Sequence, residues 1–184
     1  MNKILTIFER DWDGNRKVID RYSDCVTAEL LSECIATEKV DGTNVRLTVR
    51  NHTLVRLEKR RNPSKIEKAK GIVEPWYVDG DELDQSDKWI WDAARNTDLS
   101  DIPDGEWSGE ANGQNIQGNP LNMVGNRVML FSLGKAPAMG DVPIDFEGLK
   151  QYFPRESLYG SGDMEGIVWH HADGRMFKIK AKDF

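Results

Sequence analysis

Apolar and polar residues alternate in short runs along most of the chain, the period of strands with one buried face. Runs over 34–40 and 44–50 flank an Asp-Gly pair, and a third over 53–57 follows an Asn-His turn. Together they predict an antiparallel meander. Residues 105–111 predict another strand, and the apolar run RVMLFSL over 127–133 a buried one. Segments 165–170 and 175–181 predict a hairpin about the Ala-Asp-Gly turn at 172–174. Helices are fewer and short. Residues 64–70 predict one that ends at Gly71, and Ser86 or Asp87 caps a second carrying Trp89, Ile90, Trp91 and Ala94. Asp145 starts a third, with Phe146, Leu149, Lys150 and Phe153 on a shared face, before Pro154 stops it. Antiparallel strands with a few helices predict an α+β fold rather than a doubly wound parallel sheet.

Length changes this picture little: 184 residues fit one domain over 1–184 with room for a real core. No repeat, low-complexity tract or Pro-rich linker divides it. With 39% hydrophobic and 30% charged residues the composition is that of a soluble globular protein. The apolar run at 4–8 is too short for a signal peptide, and no stretch approaches a membrane span, so no membrane partner is expected. Cys25 and Cys34 form neither a CxxC motif nor a disulfide framework, which predicts reduced thiols in a cytoplasmic protein.

Charge is segregated. The net charge of −6 argues against a nucleic-acid partner, but phosphate binding depends on where the charge sits. Between 56 and 70 stand Arg56, Lys59, Arg60, Arg61, Lys65, Lys68 and Lys70, opposed only by Glu58 and Glu67. Residues 79–106 are acidic, with only Lys88 and Arg95 against the trend. The basic stretch suits phosphate; a solvated charged helix would give the same pattern.

Three segments carry candidate chemistry. The first is Thr37-Glu38-Lys39-Val40-Asp41-Gly42-Thr43-Asn44. A lysine, one spacer and Asp-Gly is the nucleophile motif of the covalent nucleotidyltransferases, which comprise DNA ligases, RNA ligases and mRNA capping enzymes. In that chemistry the lysine attacks the α-phosphate of ATP and the phosphoramidate stores the activation energy. An ordinary lysine is protonated at neutral pH, so such a site must favour the neutral amine. Gly42 would permit a tight turn that presents Lys39. Asp-Gly is equally the usual centre of a hairpin turn. The second segment is Glu165-Gly166-Ile167-Val168, a turn, and Phe177-Lys178-Ile179-Lys180. Period two puts Lys178 and Lys180 on one face, where both reach one triphosphate, and Glu165 suits Mg2+. An amphipathic hairpin with a solvated basic face reads the same way. The third is the polar stretch 109–120, in which Glu110 precedes a Gly/Asn/Gln-rich loop. Glu106 competes with Glu110 for any role there.

IATEKVDGTN, the basic stretch 56–70, NIQGNP and MEGIVWHHADG resemble the stand-alone 5′–3′ RNA ligases, a group with vertebrate, phage and bacterial members. The opening KILTIFERDWDG is similar to the start of related phage and bacterial ligases. The likeness is poor over 72–103. It implies a nucleotidyltransferase domain of two mostly antiparallel sheets with flanking helices and a nucleotide pocket between them, without a C-terminal accessory domain. The implied activity is ATP-dependent joining of 5′-phosphate and 3′-hydroxyl RNA ends through lysyl-AMP, with ATP and Mg2+ or Mn2+ as cofactors. The implied roles are Lys39 as nucleophile with Lys178 and Lys180 as catalytic cations, and Glu38, Asp41, Gly42, Arg56, Glu110 and Phe131 around the nucleotide. Phe131 would stack on adenine, Glu110 would meet the ribose, and Glu165, with Asp41 second, would hold the metal. Lys180 fits the broad superfamily better than its vertebrate branch. Arg56, Lys59, Arg60, Arg61 and Lys65 would meet nucleic-acid phosphate. A minimal DNA ligase and a non-catalytic nucleotide- or RNA-binding module with the same fold are the alternatives. His170 and His171, adjacent at a strand end, point to opposite faces and do not suggest a zinc site. Trp169 is a candidate for the pocket border.

Overall fold

Among the described residues the strands segregate into three sheets, and between Lys39 and Thr43 the chain leaves one sheet to begin another. The structure is a computed structural model and describes residues 4–131 and 136–184. Its first elements are β1 (Leu5–Thr6), β2 (Phe8–Arg10), β3 (Val18–Tyr22), α1 (Ala28–Ser32) and β4 (Ile35–Lys39). Next come β5 (Thr43–Arg50), β6 (Thr53–Arg61), α2 (Lys65–Ala69), β7 (Trp76–Asp79), α3 (Lys88–Arg95), β8 (Gly105–Gly113) and β9 (Asn126–Met129). The last are α4 (Phe146–Tyr152), β10 (Gly166–His170), β11 (Met176–Lys180) and a 3-10 turn over Ala181–Asp183. The described residues of 41–136 form one compact unit, and those of 4–40 with 137–184 form the other. No helix among the described residues is long and apolar enough to cross a membrane.

The unit made of both chain ends is built on a four-stranded sheet in the order β1-β11-β10-β4, with β2 and β3 as a separate antiparallel pair. Its core gathers Ile7, Phe8, Leu31, Leu149, Ile167 and Trp169, each almost fully buried. Phe8 stacks on Tyr22 at 5.1 Å and meets Phe146 edge-on at 5.4 Å, which seats α4 against the β2–β3 pair. Asp145 caps α4 as expected, accepting from Gly148 N at 2.8 Å. The expected C-terminal hairpin forms as β10 and β11, turning at Gly174 with φ of 89°. Trp169 is buried in the core, which removes it from any pocket border.

The other unit holds a five-stranded antiparallel sheet in the order β7-β6-β5-β8-β9. Period two sends Val45, Leu47, Val49, Leu57, Ala111 and Val128 to one face, where Ile90, Ala93 and Ala94 of α3 pack on them. β5 and β6 meet at Asn51 and His52, both with positive φ, so this half of the expected meander is present. The other half is not. β4 pairs with β10 in the first unit, and Asp41-Gly42 is no hairpin turn but part of the crossing between units. Gly42 serves close approach rather than a tight turn: a Cβ there would stand 2.3 Å from the Ala111 carbonyl oxygen. The expected strand 127–133 is observed over Asn126–Met129, and 132–133 lie outside the described residues. α2 follows the expected pattern, with Ser64 and Glu67 closing a reciprocal capping box.

Candidate active site

Strand register decides which side chains share a face. Gly166 of β10 stands opposite Lys39 of β4 on one side and Lys180 of β11 on the other. One step along, Val168 stands between Thr37 and Lys178, and a further step puts His170 between Ile35 and Met176. The intervening Ala36, Ile167, Trp169, Phe177 and Ile179 belong to the core. One face of this sheet is therefore hydrophobic core, and the other carries Lys39, Lys178, Lys180, Thr37 and His170.

Both lysines of the first row bind one carboxylate. Lys39 Nζ donates to Glu165 Oε2 and Lys180 Nζ to Glu165 Oε1. The Glu165 side chain is 10% exposed and the Lys39 side chain 20%, so the charges pair out of bulk water. The backbone holds this arrangement. Ala181 N donates to the Glu165 carbonyl at 2.9 Å, and Lys180 N donates to Asp183 Oδ2 at 3.0 Å. Asp183 Oδ1 accepts in turn from Arg10 at 2.6 Å. Gly166 leaves no room for a side chain, because a Cβ there would lie 2.1 Å from the Ile179 carbonyl oxygen.

Glu38, the neighbour of Lys39, faces the opposite way. It is buried, and its two oxygens accept from Ser157 Oγ at 2.6 Å and Leu158 N at 2.7 Å. Burial pushes its carboxyl above the usual range, against the lowering effect of those two bonds. The structure does not bring Glu38 into the lysine row. Thr37 and His170, by contrast, lie on the lysine face, with Thr37 Oγ1 2.9 Å from His170 Nε2. Burial lowers the His170 pKa, which favours the neutral ring. Counting back by two from Lys39 marks Thr37, but nothing in the sequence marks its bond to His170. His171 belongs elsewhere, with Nδ1 2.8 Å from Asp173 and Nε2 3.5 Å from Glu33.

Asp41, Gly42, Arg56, Glu110 and Phe131 belong to the other unit. There Asn44, Arg46, Glu58, Arg56 and Glu110 share the face of the five-stranded sheet opposite its core. Glu110 accepts from Asn44 Nδ2 at 3.3 Å, and Tyr77 donates to Asn44 Oδ1 at 2.8 Å. Arg46 binds Glu58 through two bonds of 2.7 and 2.8 Å. Glu106 pairs with Arg46 at 3.1 Å. Phe131 is half-buried two residues past β9, and Asp41 is exposed.

Strand alternation divides the basic stretch between two faces. Lys59 turns to the core side and donates to the buried Asp87 at 2.5 Å, so its charge is structural and the expected phosphate role is not available to it. Arg61 binds Glu67 and lies over Trp76, 4.7 Å from the ring centre. Arg56 donates to Asp79 at 2.6 Å. Arg60 keeps a buried Nε with no partner among the described residues, and Lys65 is exposed. An open cleft of about 610 Å3 in this unit, lined by His52, Trp91, Arg95 and others, contains none of the expected site residues.

The lysine row fits a nucleotide and a divalent ion. Three lysines on one face match a polyphosphate, and Glu165 is a hard oxygen donor among them. No cluster of three or more His, Cys, Asp or Glu among the described residues forms a metal cage. An ion here would thus be shared between Glu165 and phosphate oxygens, the usual arrangement for Mg2+.

Comparisons with known proteins agree with this fold. No protein-family model matches the chain, and no curated protein matches its sequence. Solved structures do match. An RNA ligase of Naegleria gruberi, as a mutant with ATP and Mn, is 15% identical with a TM-score of 0.55, over 98% of this chain and 60% of that one. The same organism's RNA ligase with PPi gives 15% identity and a TM-score of 0.52, over 99% and 62%. A mutant with AMP and Mn gives 15% and 0.53, over 84% and 52%. The chain thus has the α+β fold of these RNA ligase structures and spans less than two thirds of their length. At this identity the likeness establishes the fold alone.

Proposed function

We propose that this protein is an ATP-dependent RNA ligase that first attaches AMP to Lys39. The observation that carries the reading is the row Lys39–Gly166–Lys180, with both amines on the Glu165 carboxylate. Lys39 gives up a proton to solvent and its neutral Nζ attacks the α-phosphorus of ATP; the P–N bond forms as the bond to the oxygen bridging to the β-phosphate breaks, a second N–H proton passes to solvent, and pyrophosphate leaves. AMP then passes to a 5′-phosphate RNA end, and a 3′-hydroxyl displaces it to close the phosphodiester.

Phosphoryl transfer of this kind depends on alignment and charge neutralisation more than on acid–base chemistry. Lys178 and Lys180 supply positive charge along the sheet face, and Lys39 and Lys180 leave Glu165 to meet phosphate. Glu165 would hold Mg2+ or Mn2+ together with phosphate oxygens, and the bound ion would neutralise charge on those oxygens. Arg56, Arg60, Arg61 and Lys65 meet RNA phosphate. RNA is chosen over DNA because the matching structures are RNA ligases.

Intact-protein mass spectrometry after incubation with ATP and Mg2+ tests this reading, with Lys39→Ala and GTP as controls. A gain of one AMP with ATP, lost in the variant, supports it and leads to joining assays on 5′-phosphorylated RNA and on nicked DNA. Binding of ATP without an adduct would favour a non-catalytic nucleotide-binding module, and joining of nicked DNA alone would favour a DNA ligase.

A further inference from the structure

We infer that Arg10 is a positioning residue for Lys180: through Asp183 it fixes the backbone from which the Lys180 amine is aimed, and so sets how tightly the triphosphate is held. The inference rests on the proposed role of Lys180 at the triphosphate. Lys180 is the last residue of β11, and a side chain at a strand end points where its own backbone and the turn beyond it direct it. That turn, Ala181–Asp183, folds back so that Asp183 Oδ2 accepts from Lys180 N at 3.0 Å. Asp183 is almost fully buried, and a backbone N–H alone does not compensate a carboxylate held out of water. Arg10 supplies the charge, donating from Nη2 to Asp183 Oδ1 at 2.6 Å. Its Nη1 donates to the Arg16 carbonyl oxygen at 2.9 Å, so the planar guanidinium is held at two points.

The rest of the turn has other holds. Lys17 Nζ donates to the Lys182 carbonyl oxygen at 2.9 Å and to the main-chain oxygen of Phe184 at 2.7 Å. The Phe184 ring meets Phe146 edge-on at 5.3 Å. Loss of Arg10 therefore leaves 182–184 docked and releases one group, the Asp183 carboxylate, which gains by turning to water. Lys180 N then loses its acceptor, and the Lys180 amine loses its fixed place on Glu165 while Lys39 keeps its own. The effect falls on binding of the triphosphate before it falls on the attack by Lys39.

Equilibrium binding of ATP without divalent ions, beside the maximal rate of AMP attachment with ATP and Mg2+, tests this in a double-mutant cycle. Lys180→Met should weaken ATP binding about tenfold, the worth of one hydrogen bond to a charged group. Arg10→Met should weaken it several-fold, with a smaller loss in the maximal rate, and Arg10→Lys, which restores a cation, should recover most of the affinity. With Lys180 already replaced, Arg10→Met should cost nothing further, a result that a general loosening of the fold would not give. Arg10→Gln takes the place of Arg10→Met in the cycle if the latter does not fold. Losses that multiply independently would overturn the inference. So would ATP binding left unchanged in the Arg10 variant or in Lys180→Met. Each of these results leaves the AMP-transfer reading standing when the wild type forms its adduct. No binding of ATP by the wild type would overturn both.

Discussion

Lys39 and Lys180 stand two strands apart across Gly166 and bind the two oxygens of a single carboxylate, that of Glu165. They are 141 positions apart in the chain. Their proximity is a product of register: the same β10 residue pairs with both, so any slip of β4 or β11 by one place would turn one lysine into the core.

On the proposed function, loss of Lys39 should silence AMP attachment without loosening the fold. In Lys39→Ala, Glu165 keeps Lys180 as partner and no buried charge is stranded. The AMP adduct should disappear from the mass spectrum, while urea unfolding shifts by no more than about 1 kcal/mol. An adduct that persists in the variant would place the nucleophile elsewhere.

Gly166→Ala should damage both. The added Cβ meets the Ile179 carbonyl oxygen at 2.1 Å and Lys180 Cα at 2.9 Å, and neither is a flexible side-chain end. Relief requires β10 and β11 to part at the row that carries the lysines. The expected cost is about 1–3 kcal/mol in urea unfolding, with a larger proportional loss of AMP attachment. A variant of wild-type stability and activity would show that the backbone approach is unimportant.

Two lysines of the basic stretch should behave differently. Lys59 neutralises Asp87, which is 3% exposed, so Lys59→Ala leaves a buried carboxylate with Asp81 N and Ser86 Oγ as its remaining partners among the described residues. It should destabilise the protein by about 2 kcal/mol or more. Lys65 is exposed on a helix with no buried residue. Lys65→Ala should leave stability unchanged and, on the proposed function, lower the salt slope of RNA binding by about one. Equal effects of the two variants on stability would refute the division.

This division shows where sequence reading reached and where it stopped. The helices at α2 and α4 and the final hairpin were legible because caps, Gly stops and period two are local signals; α3 forms where expected, although Asp87 at its cap position makes no side-chain capping bond. Lys39, Glu165, Lys178 and Lys180 could be picked out as motif residues for the same reason. What the sequence does not carry is pairing between distant strands. Asp41-Gly42 reads locally as a hairpin turn, yet β4 pairs with β10, well over a hundred positions away. The charge run 56–70 reads as one basic surface, yet alternation along β6 sends Lys59 and Arg60 to opposite faces. Glu38 lies beside Lys39 in sequence and on the other side of the sheet in space.

Glu38 also sets a pH dependence. Its carboxyl is raised from an ordinary value of 4.5, with burial as the largest cause. The folded state thus holds this proton more tightly than the unfolded chain, and stability falls with rising pH wherever that is so. Glu38's contribution is fully present below the unfolded value and is lost as pH climbs through the folded one. Glu38→Gln removes the titration and keeps both an acceptor for Leu158 N and a partner for Ser157 Oγ. Urea unfolding at pH 5 and pH 8 should show a smaller loss of stability across that interval in the variant than in the wild type. At pH 8 Glu38→Gln should be as stable as the wild type or more so, because no charge is then held in the core. A variant whose loss between the two pH values equals that of the wild type would show that Glu38 titrates as an ordinary surface carboxylate.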